Sequence, residues 1–405
     1  MKEWDVVIVG GGMVGASFAL ALRATKLRVL LVEGIPPDSA RQPSFDERTT
    51  ALGNGSRQIF ESLGVWQSMM GESAAIRSIH VSDAGRFGMA RLEAKEQGVD
   101  AFGYVVPNRV IGRVLWQALR EAPNITLAVP ASLVKASLHE NGVDLEISSE
   151  GKTEEARASV AVAADGAGSV LRASAGIEAG VEDYDQVAIV VNAATERPNT
   201  GEAFERFTPS GPLAVLPVSG GGYAVVWAVR PERATQLLAL SDDEFARELL
   251  DAFGWRAGRW SRIGKRNTYP LSLSRAQETV AGRVVLIGNA AQALHPVAGQ
   301  GFNLGLRDAA TLAEMLARMP AGQTGNTGEL LGRFAAWREE DRKGVTRFTD
   351  SLVKLFGSER PALGLVRNFG LLLFDLSPTA KRALSRVSWG FAGRMPRLAR
   401  GLPLE

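Results

Sequence analysis

The hydrophobic pattern begins with a strand, a helix and a second strand. A short apolar run over Asp5 to Val9 is typical of a buried parallel strand. Apolar residues dominate Met13 to Thr25, which indicates a helix, and Arg28 to Val32 indicate a second strand that ends at Glu33. This order predicts a βαβ unit, in which the helix connects two parallel strands.

Further helices and strands follow this unit. The spacing predicts helices over 50–63, 109–120 and 301–319, and strands over 125–127, 133–137, 143–147, 159–163 and 283–287. Alternation dominates from about 180 to 270, where strands over 203–208, 213–217 and 223–229 resemble a meander with a turn at Gly220-Gly221-Gly222. Residues 322–328 are a predicted linker, and the chain beyond is helical in pattern, with Phe348, Leu352, Leu355 and Phe356 on one face.

These elements predict an α/β protein with a Rossmann-type nucleotide-binding domain and a smaller mixed β-sheet domain. A chain of 405 residues exceeds the usual size of one domain. Because 283–287 returns to the buried parallel type, we expect the nucleotide-binding domain to be discontinuous, over 1–75, 100–178 and 271–345. The second domain is predicted over 76–99 and 179–270, and a helical C-terminal region over 346–405.

Composition and charge exclude several kinds of site. The chain has no cysteine, which excludes disulfides, thiolate metal ligands and the paired redox cysteines of disulfide reductases. The three histidines, His80, His139 and His295, lie far apart with no i, i+4 pairing, so a zinc site is not expected. A formal net charge of +2 does not favour nucleic acid as a partner.

The sequence predicts a cytoplasmic protein. Its N-terminal residues run directly into the first strand, and no window holds the roughly 18 apolar residues that a spanning helix requires. The tail over 379–400 has six basic and no acidic residues among apolar ones, which suits peripheral attachment to the inner face of an anionic membrane. The alternative is a helix that docks on the protein with a solvated basic face.

A glycine fingerprint lies between the first strand and the first helix. Gly10, Gly12 and Gly15 give G-x-G-x-x-G, in which the first glycine permits a tight turn, the second admits a pyrophosphate and the third packs helix on strand. Glu33 is placed to accept a ribose hydroxyl, and the helix N-terminus favours the anionic pyrophosphate. The fingerprint predicts a dinucleotide, although an ordinary turn is the alternative, and it does not separate FAD from NAD.

A second glycine-rich loop favours FAD. Residues 283–308 predict a strand, a loop and a helix that begins near Gly299, Gln300 and Gly301. Reduced flavin is anionic around N1 and O2, so the backbone donors of this helix start would stabilise it, and Asn303 could fix the edge of the ring. We expect His295, before Pro296, to shape the loop rather than to act as a base. An ordinary strand, loop and helix is the alternative.

Three motifs in this order make the chain resemble the aromatic-ring flavoprotein monooxygenases related to para-hydroxybenzoate hydroxylase. They are the glycine fingerprint, Asp165-Gly166 with Ser169 and Arg172, and the 288–308 segment, and the resemblance extends to about residue 350. The runs over 204–208, 211–214, 288–292 and 299–305 are similar to the ubiquinone-biosynthesis branch, in particular to the 2-octaprenyl-6-methoxyphenol hydroxylases.

The resemblance implies FAD as cofactor and a set of residues that contact it. The set is Gly10, Gly12, Val14, Gly15, Glu33, Arg48, Arg109, Val134, Asp165, Gly166, Gly288, Asn289, Gly299, Gln300, Gly301, Phe302 and Asn303. Arg48 and Arg109 match arginines that approach the FAD phosphates, with solvated surface arginines as the alternative. Arg172 would help to orient the cofactor or the electron donor. Asn289 replaces the Asp of most of the wider family and loses its charge, so a weakly bound flavin is one expected outcome.

The resemblance also implies the reaction. A donor, NAD(P)H or a redox protein, reduces FAD, O₂ adds at flavin C4a, and the hydroperoxide transfers oxygen to a polyprenylated phenol of ubiquinone biosynthesis. No catalytic residue of the protein is predicted, and the strands over 213–217 and 223–229 are either walls of a water-excluding pocket or plain core. Open alternatives are a hydroxylase of another aromatic compound, a prenyl reductase, and a non-catalytic, weakly FAD-binding subunit of a biosynthetic complex.

Overall fold

The structure is a computed structural model that describes residues 1–39, 42, 44–86, 88–294, 299–319, 327–357 and 394–404, with side chains except those of 345–357. His295, Pro296, residues 322–326 of the expected linker and most of the basic tail lie outside the described residues. So do the side chains of Phe348, Leu352, Leu355 and Phe356. The expectations for them stay predictions.

The described elements are strands and helices in mixed order. The strands are β1 (Lys2–Val9), β2 (Val29–Val32), β3 (Thr49–Gly53), β4 (Ala74–Ile76), β5 (Ser78–Asp83), β6 (Met89–Glu93), β7 (Gly103–Pro107), β8 (Ile125–Ala128), β9 (Ser132–His139), β10 (Gly142–Ser149), β11 (Lys152–Ala163), β12 (Ala179–Thr195), β13 (Glu202–Thr208), β14 (Gly211–Pro217), β15 (Tyr223–Val229), β16 (Trp260–Ser261), β17 (Asn267–Ala276), β18 (Val280–Ala281), β19 (Val284–Leu286) and β20 (Gln292–Ala293). The helices are α1 (Met13–Ala21), α2 (Asn54–Ser62), α3 (Trp66–Met70), α4 (Asn108–Arg120), α5 (Val170–Ser174), α6 (Pro231–Ala239), α7 (Asp242–Phe253), α8 (Gln300–Leu316) and α9 (Thr327–Gly357). The α/β class is confirmed.

The first sheet has the strand order β18-β19-β11-β1-β2-β8, and β10 and β9 extend it from β11. β1 pairs in parallel with both β2 and β11, which confirms the expected βαβ unit. Val6, Val7 and Ile8 are fully buried, because α1, α4 and α8 cover one face and β9, β10 and α5 the other. A central parallel strand that is buried on both faces explains the continuous apolar run in the sequence.

The second sheet has the order β20-β17-β12-β15-β14-β13-β5-β6 and is antiparallel except for the β13–β5 pair. Helices α6 and α7 pack on one face through Leu237, Phe245, Leu249 and Phe253. The sheet includes β5 and β6, which come far earlier in the sequence than β12. It also includes β17, which ends at Ala276. The domain boundaries given above stay predictions.

The helix predicted over 50–63 is wrong in its first part. Thr49–Gly53 form β3, which pairs with β7 in a separate sheet of β3, β7 and β4, and α2 begins only at Asn54. The antiparallel partner β7 lies about 50 residues later in the chain, so tertiary pairing overrides the local helical pattern here. The linker predicted over 322–328 also ends earlier than expected, because α9 begins at Thr327.

Two helices and one long strand were not predicted in the alternating region. β12 extends over 17 residues, and α6 and α7 occupy 231–253. Both helices carry start signals that the emphasis on alternation obscured: Pro231 at the first turn of α6, and a capping box of Ser241 and Glu244 at α7. The three strands of the predicted meander match β13, β14 and β15 closely.

The described part of the basic tail packs on the protein. The backbone N–H of Arg397 donates to Glu314 Oε2 at 2.7 Å, and the Arg394 guanidinium lies 3.7 Å from the centroid of the Trp337 ring. Leu398 is buried in the main core. Residues 394–404 therefore dock on the protein, although no α-helix lies among them. The expected helix and the expected membrane contact concern mainly residues outside the description.

Candidate active site

A cavity of about 1110 Å³ lies between the first and the second sheet. Its first end is lined at the carboxyl ends of β1, β2 and β11, by Val9, Val32 and Ala164. Ligands of open α/β sheets bind at these strand ends. The opposite end is lined by the second sheet. We call the two ends the turn end and the sheet end.

The glycine fingerprint forms the turn between β1 and α1. Gly10 has a φ of 101°, and a Cβ atom there would lie 2.4 Å from the carbonyl oxygen of Ala164. A Cβ on Gly15 would lie 1.9 Å from the carbonyl oxygen of Gly10, so only glycine allows α1 to approach the turn. Gly10, Gly12 and Val14 line the cavity, while Gly15 acts from behind the turn.

Two carboxylates flank this turn. Glu33, directly after β2, accepts the backbone N–H of Gly11 at 2.6 Å and that of Ile35 at 2.9 Å, which fixes its position on the cavity wall. Asp165, after β11, accepts the N–H of Val170 at 2.9 Å through Oδ2, and its buried Oδ1 has no hydrogen-bond partner among the described residues. The turn end thus offers a held carboxylate and an unsatisfied acceptor.

Arg172 connects the turn after β11 to the loop after β19. Its guanidinium donates to the carbonyl oxygens of Ala290, at 3.0 Å, and Ala167, at 2.6 Å. The Asp165-Gly166 turn is therefore held against the loop that contains Asn289. Asn289 is exposed on the cavity wall.

Helix α8 points its N-terminus at the cavity. Its N-cap Gly299 has a φ of 60°, and its first turn contains no acidic residue. Gly299, Gln300, Gly301 and Phe302 line the cavity. Because the first N–H groups of a helix lack intrahelical partners and carry partial positive charge, this end is suited to an anionic group.

Gly288 and Asn303 act by packing and by hydrogen bonding within the protein. A Cβ on Gly288 would lie 3.2 Å from the Val14 side chain, so this glycine lets the loop after β19 approach α1 closely. Asn303 accepts from the Gly53 N–H and the Ser56 hydroxyl at 2.9 and 2.6 Å, and it donates to Ala51 O and Gly299 O at 2.9 and 2.7 Å. Its amide fastens the start of α8 to β3 and α2, and Asn303 also lines the cavity, so its expected contact with the edge of the flavin ring stays a prediction.

The sheet end is apolar. Side chains of five strands line it, namely Ile79, Val81, Ala90, Leu92, Ala203, Phe207, Ala214, Leu216 and Val226. On β14 and β15 the intervening residues Leu213, Val215 and Val225 are buried in the core under α6 and α7. Both interpretations of these strands therefore hold, because one face is cavity wall and the other is core.

Glu205 is the one charged residue of the second sheet that lines the cavity within the described part of the chain. Surrounding protein raises the pKa of its carboxyl to about 7, because burial disfavours the charged form. Its Oε1 atom is buried and has no partner within the described residues. Such an atom is costly unless a ligand or water satisfies it.

The residues of the turn end fit FAD. Glycines leave room where a Cβ atom would fill the turn, Glu33 and Asp165 present carboxylates, and the start of α8 presents backbone donors. No group of three or more His, Cys, Asp or Glu side chains within the described residues could hold a metal ion.

Comparison with known proteins agrees with this geometry. A family model described as an FAD binding domain matches residues 3–349. The ubiquinone hydroxylase UbiL of Rhodospirillum rubrum is 36% identical over 408 residues, which cover 100% of this chain and 94% of that protein. The 3-demethoxyubiquinol 3-hydroxylase of Escherichia coli is 30% identical, over 95% of this chain and 98% of that protein.

The chain belongs to the FAD-binding monooxygenase family.

Solved structures show the same fold. The crystal structure of p-nitrophenol 4-monooxygenase from Pseudomonas putida has a TM-score of 0.81 and 21% sequence identity, and the match covers 97% of this chain and 100% of that one. The expected family, FAD cofactor and enzyme class are therefore confirmed for this monooxygenase, which needs an organic substrate, O₂ and a reductant. The narrower resemblance to 2-octaprenyl-6-methoxyphenol hydroxylases stays a prediction.

The structure separates the two arginines expected at the FAD phosphates of this monooxygenase. Arg48 lines the cavity, where its Nε donates to Asp46 at 2.7 Å and its guanidinium lies 4.4 Å from the Tyr269 ring centroid. Arg109 does not line it and forms surface ion pairs with Glu72, at 2.8 Å, and Glu47, at 3.3 Å. Glu72 raises the pKa of Arg109. The surface alternative describes Arg109 in this structure.

Val134 also lies off the cavity. Its side chain is 54% exposed, whereas the preceding residues Ser132 and Leu133 line the cavity. The cavity wall includes only the first two residues of β9, and Val134, the third, lies beyond it. A role for Val134 in FAD binding stays a prediction without a contact to support it.

Glu205 is the residue that sequence reasoning missed. It lies within the run over 204–208, which entered the sequence analysis only as part of the family resemblance. The alternation of side chains along β13 nevertheless indicates its unusual position. Ala203 and Phe207 share the parity of Glu205, so the carboxyl stands on an otherwise apolar face of the strand. A charge at such a position indicates either strain or function.

Proposed function

We propose that this monooxygenase hydroxylates the aromatic ring of a polyprenylated phenol in ubiquinone biosynthesis. The observation that carries the proposal is the continuous cavity that joins the glycine turns to an apolar sheet face. Full-length similarity to a ubiquinone hydroxylase supports it.

The turn end would bind FAD through the glycine turn, Glu33 and Asp165, with the start of α8 beside the flavin. When bound and reduced, flavin supplies the activation of O₂ and the electrophilic oxygen atom. The protein's own contribution is to fix the ring of the substrate against that position and to exclude water.

The sheet end suits the apolar part of such a substrate. Apart from Glu205, its lining consists of Val, Ile, Leu, Ala and Phe side chains, against which a prenyl chain can pack. Burial of apolar surface contributes roughly 25 cal/mol per Å², so even the first isoprene units would add substantially to binding. The same lining keeps solvent from the reacting centre.

Donor and location belong to the proposal as well. The electron donor is NAD(P)H or a redox protein, since the sequence has only one dinucleotide fingerprint. None of the described helices is both long and apolar enough to cross a membrane. A lipid-tailed substrate favours peripheral attachment at the inner face of the membrane, with the basic residues over 379–393 as the contact.

Deletion of the gene, followed by mass spectrometry of the quinone precursors, tests this proposal. We expect a precursor that lacks one ring hydroxyl group to accumulate, and complementation with the intact gene to remove it. A precursor with a more unsaturated tail would indicate a prenyl reductase. If no precursor lacks a hydroxyl, the proposal is wrong.

Complementation also separates an enzyme from a structural subunit. A Gly10→Ala copy cannot form the glycine turn, because its Cβ would lie 2.4 Å from Ala164 O. We expect it to leave the precursor in place. Restoration of ubiquinone by an FAD-free variant that accumulates normally would favour the non-catalytic subunit.

A further inference from the structure

The sheet end of the cavity contains one cross-strand row with a single polar member. Strand pairing aligns Ala90, Val81, Glu205, Ala214 and Val226 across β6, β5, β13, β14 and β15. All five line the cavity. Neighbouring residues in a row point to the same face of a sheet, so apolar side chains flank the Glu205 carboxyl on both sides.

Glu205 is placed to meet a ligand rather than another residue. Its Oε1 atom is shielded from solvent and unpartnered among described atoms, and surrounding apolar groups raise the carboxyl pKa to about 7. Glu33 and Asp165, the other carboxylates that line the cavity within the described residues, lie at the turn end and accept backbone N–H groups.

Other charged groups of these strands are turned away or paired. On β5, Asp83 lies on the same face of the strand as Val81, and it pairs with Arg86 at 3.5 Å. His80, Arg91 and Arg206 have the opposite parity, and β14 and β15 bring no charged residue. The one cation that lines the cavity within the described residues is Arg48, which pairs with Asp46. Burial, not a neighbouring charge, accounts for the protonation behaviour of Glu205.

We propose that Glu205 is a catalytic residue that accepts the phenolic proton of the aromatic substrate. This inference rests on the proposed function. The phenol O–H bond breaks, an O–H bond forms on the Glu205 carboxylate, and the electron pair stays on the phenolic oxygen. The ring becomes more electron-rich as its carbon forms the new C–O bond. The carboxyl returns the proton to solvent or product afterwards, so no additional reagent is consumed.

Such a group would accelerate the reaction. A phenol has a pKa of roughly 10, so only about one molecule in a thousand is ionised at neutral pH. A general base with a pKa near the working pH accelerates the transfer by typically 10²- to 10⁴-fold. An ordinary exposed glutamate is too weak a base, whereas burial of Glu205 makes it a stronger one.

A single-turnover experiment tests the inference without knowledge of the natural donor. FAD-loaded protein is reduced with dithionite and mixed with O₂ in the presence of a geranylated phenol, and the hydroxylated product is measured against time and pH. The variants are Glu205→Gln, which cannot take up the proton, and Glu205→Asp, which keeps a carboxyl group. Glu154→Gln is the matched control, because Glu154 lies on strand β11 with its side chain 70% exposed.

We expect the hydroxylation rate constant of Glu205→Gln to fall about 100-fold at neutral pH with unchanged flavin content. In the wild type the rate should rise with pH through about 7, the pKa of Glu205, and then level off. In the Gln variant the rise should move toward the pKa of the free phenol, near 10. Glu205→Asp should keep the lower pH limb at a rate reduced about tenfold, and the control should match the wild type.

The outcomes that overturn the inference are distinct. If the wild type forms product and Glu205→Gln retains its rate and pH profile, Glu205 is not the base and the proposed function stands. If the wild type binds FAD and forms no hydroxylated product, the proposed function fails and the inference with it. Should the Gln variant not fold, loss of the limb near pH 7 in Glu205→Asp would contradict the assignment.

Discussion

A methyl group on Gly15 would lie 1.9 Å from the carbonyl oxygen of Gly10. Gly10 belongs to the turn that would receive the FAD pyrophosphate, and Gly15 lies on the helix behind it, so Gly15→Ala must displace α1 or the turn. We expect the affinity for FAD to fall about tenfold or more, from overpacking of 1 to 3 kcal/mol. Flavin absorbance of the purified protein, with added FAD titrated back, measures this.

Gly180→Ala is the matched control for that variant. Gly180 lies in β12 with no heavy atom within 4 Å of the position of a Cβ atom, and it does not need a positive φ. It should bind flavin as the wild type does. Equal flavin loss in both variants would argue against the steric account of the turn.

Glu205 also has a consequence for stability. Its folded-state pKa of about 7 lies above the ordinary value of 4.5, so protonation favours the folded protein. The free energy of unfolding should therefore fall as pH rises from about 5 to about 8, by an amount on the order of 3 kcal/mol. Glu205→Gln should lack this loss and be the more stable protein above neutral pH.

Urea unfolding of the FAD-free protein at several pH values measures this difference. The gap between Glu205→Gln and the wild type should be small near pH 5 and widen toward pH 8. A gap that is independent of pH would mean that the carboxyl ionises freely in the folded state. This trade of stability for a reactive group is common at active sites.

Among individual residues, the sequence predicts those that act through the conformation of the backbone. Gly10, Gly12 and Gly15 are recognisable because their spacing reflects local geometry. Glu205 and Arg109 are not, since their environments depend on strand pairing and on Glu72, which is 37 residues from Arg109. Asn303 shows the intermediate case, because its place beside the site was predicted and its partners on β3 and α2 were not.

Helices α8 and α9 are joined by a buried ionic cluster. Arg338 Nε donates to Asp308 Oδ1 at 2.7 Å with both side chains fully buried, and Arg342 lies 3.4 Å from the other oxygen of Asp308. We expect Asp308→Ala to destabilise the protein by about 3 to 5 kcal/mol, because it leaves buried guanidinium charge uncompensated. Urea unfolding at neutral pH measures the change.

Glu339→Ala on the same helix is the control for the cluster. Its side chain is 57% exposed and pairs with Lys343 one turn away. Exposed pairs of this kind contribute little, so the change should stay within about 0.5 kcal/mol. Comparable losses for Asp308→Ala and Glu339→Ala would contradict the burial argument.

Elements with a strong local pattern were predicted, and those that depend on distant partners were not. β1, α1, β15 and α4 follow from apolar runs and periodicity. β3 was mistaken for a helix because its strand partner β7 is remote in sequence. Helices α6 and α7 were missed although Pro231 and the Ser241–Glu244 capping box mark their starts, since the flanking strands dominated the pattern.

The whole molecule brings two sheets of different character together at one cavity. The first sheet and the loops beside it supply strand ends, turns and a helix N-terminus, which suit a charged dinucleotide. The second sheet supplies a broad apolar face with Glu205 in it. The α/β class and the division of labour were predictable from the sequence, whereas the row that places Glu205 among apolar neighbours required the strand register.

Incorporation of labelled oxygen is the most direct test of the central claim, that this cavity performs FAD-dependent hydroxylation of a phenol. FAD-loaded, reduced protein is mixed with ¹⁸O₂ and a geranylated phenol in ordinary water, and the product mass is measured. The account predicts a hydroxylated ring that carries one ¹⁸O atom, in an amount limited by the flavin. A product without label, or an unchanged phenol despite bound and reoxidised flavin, would contradict it.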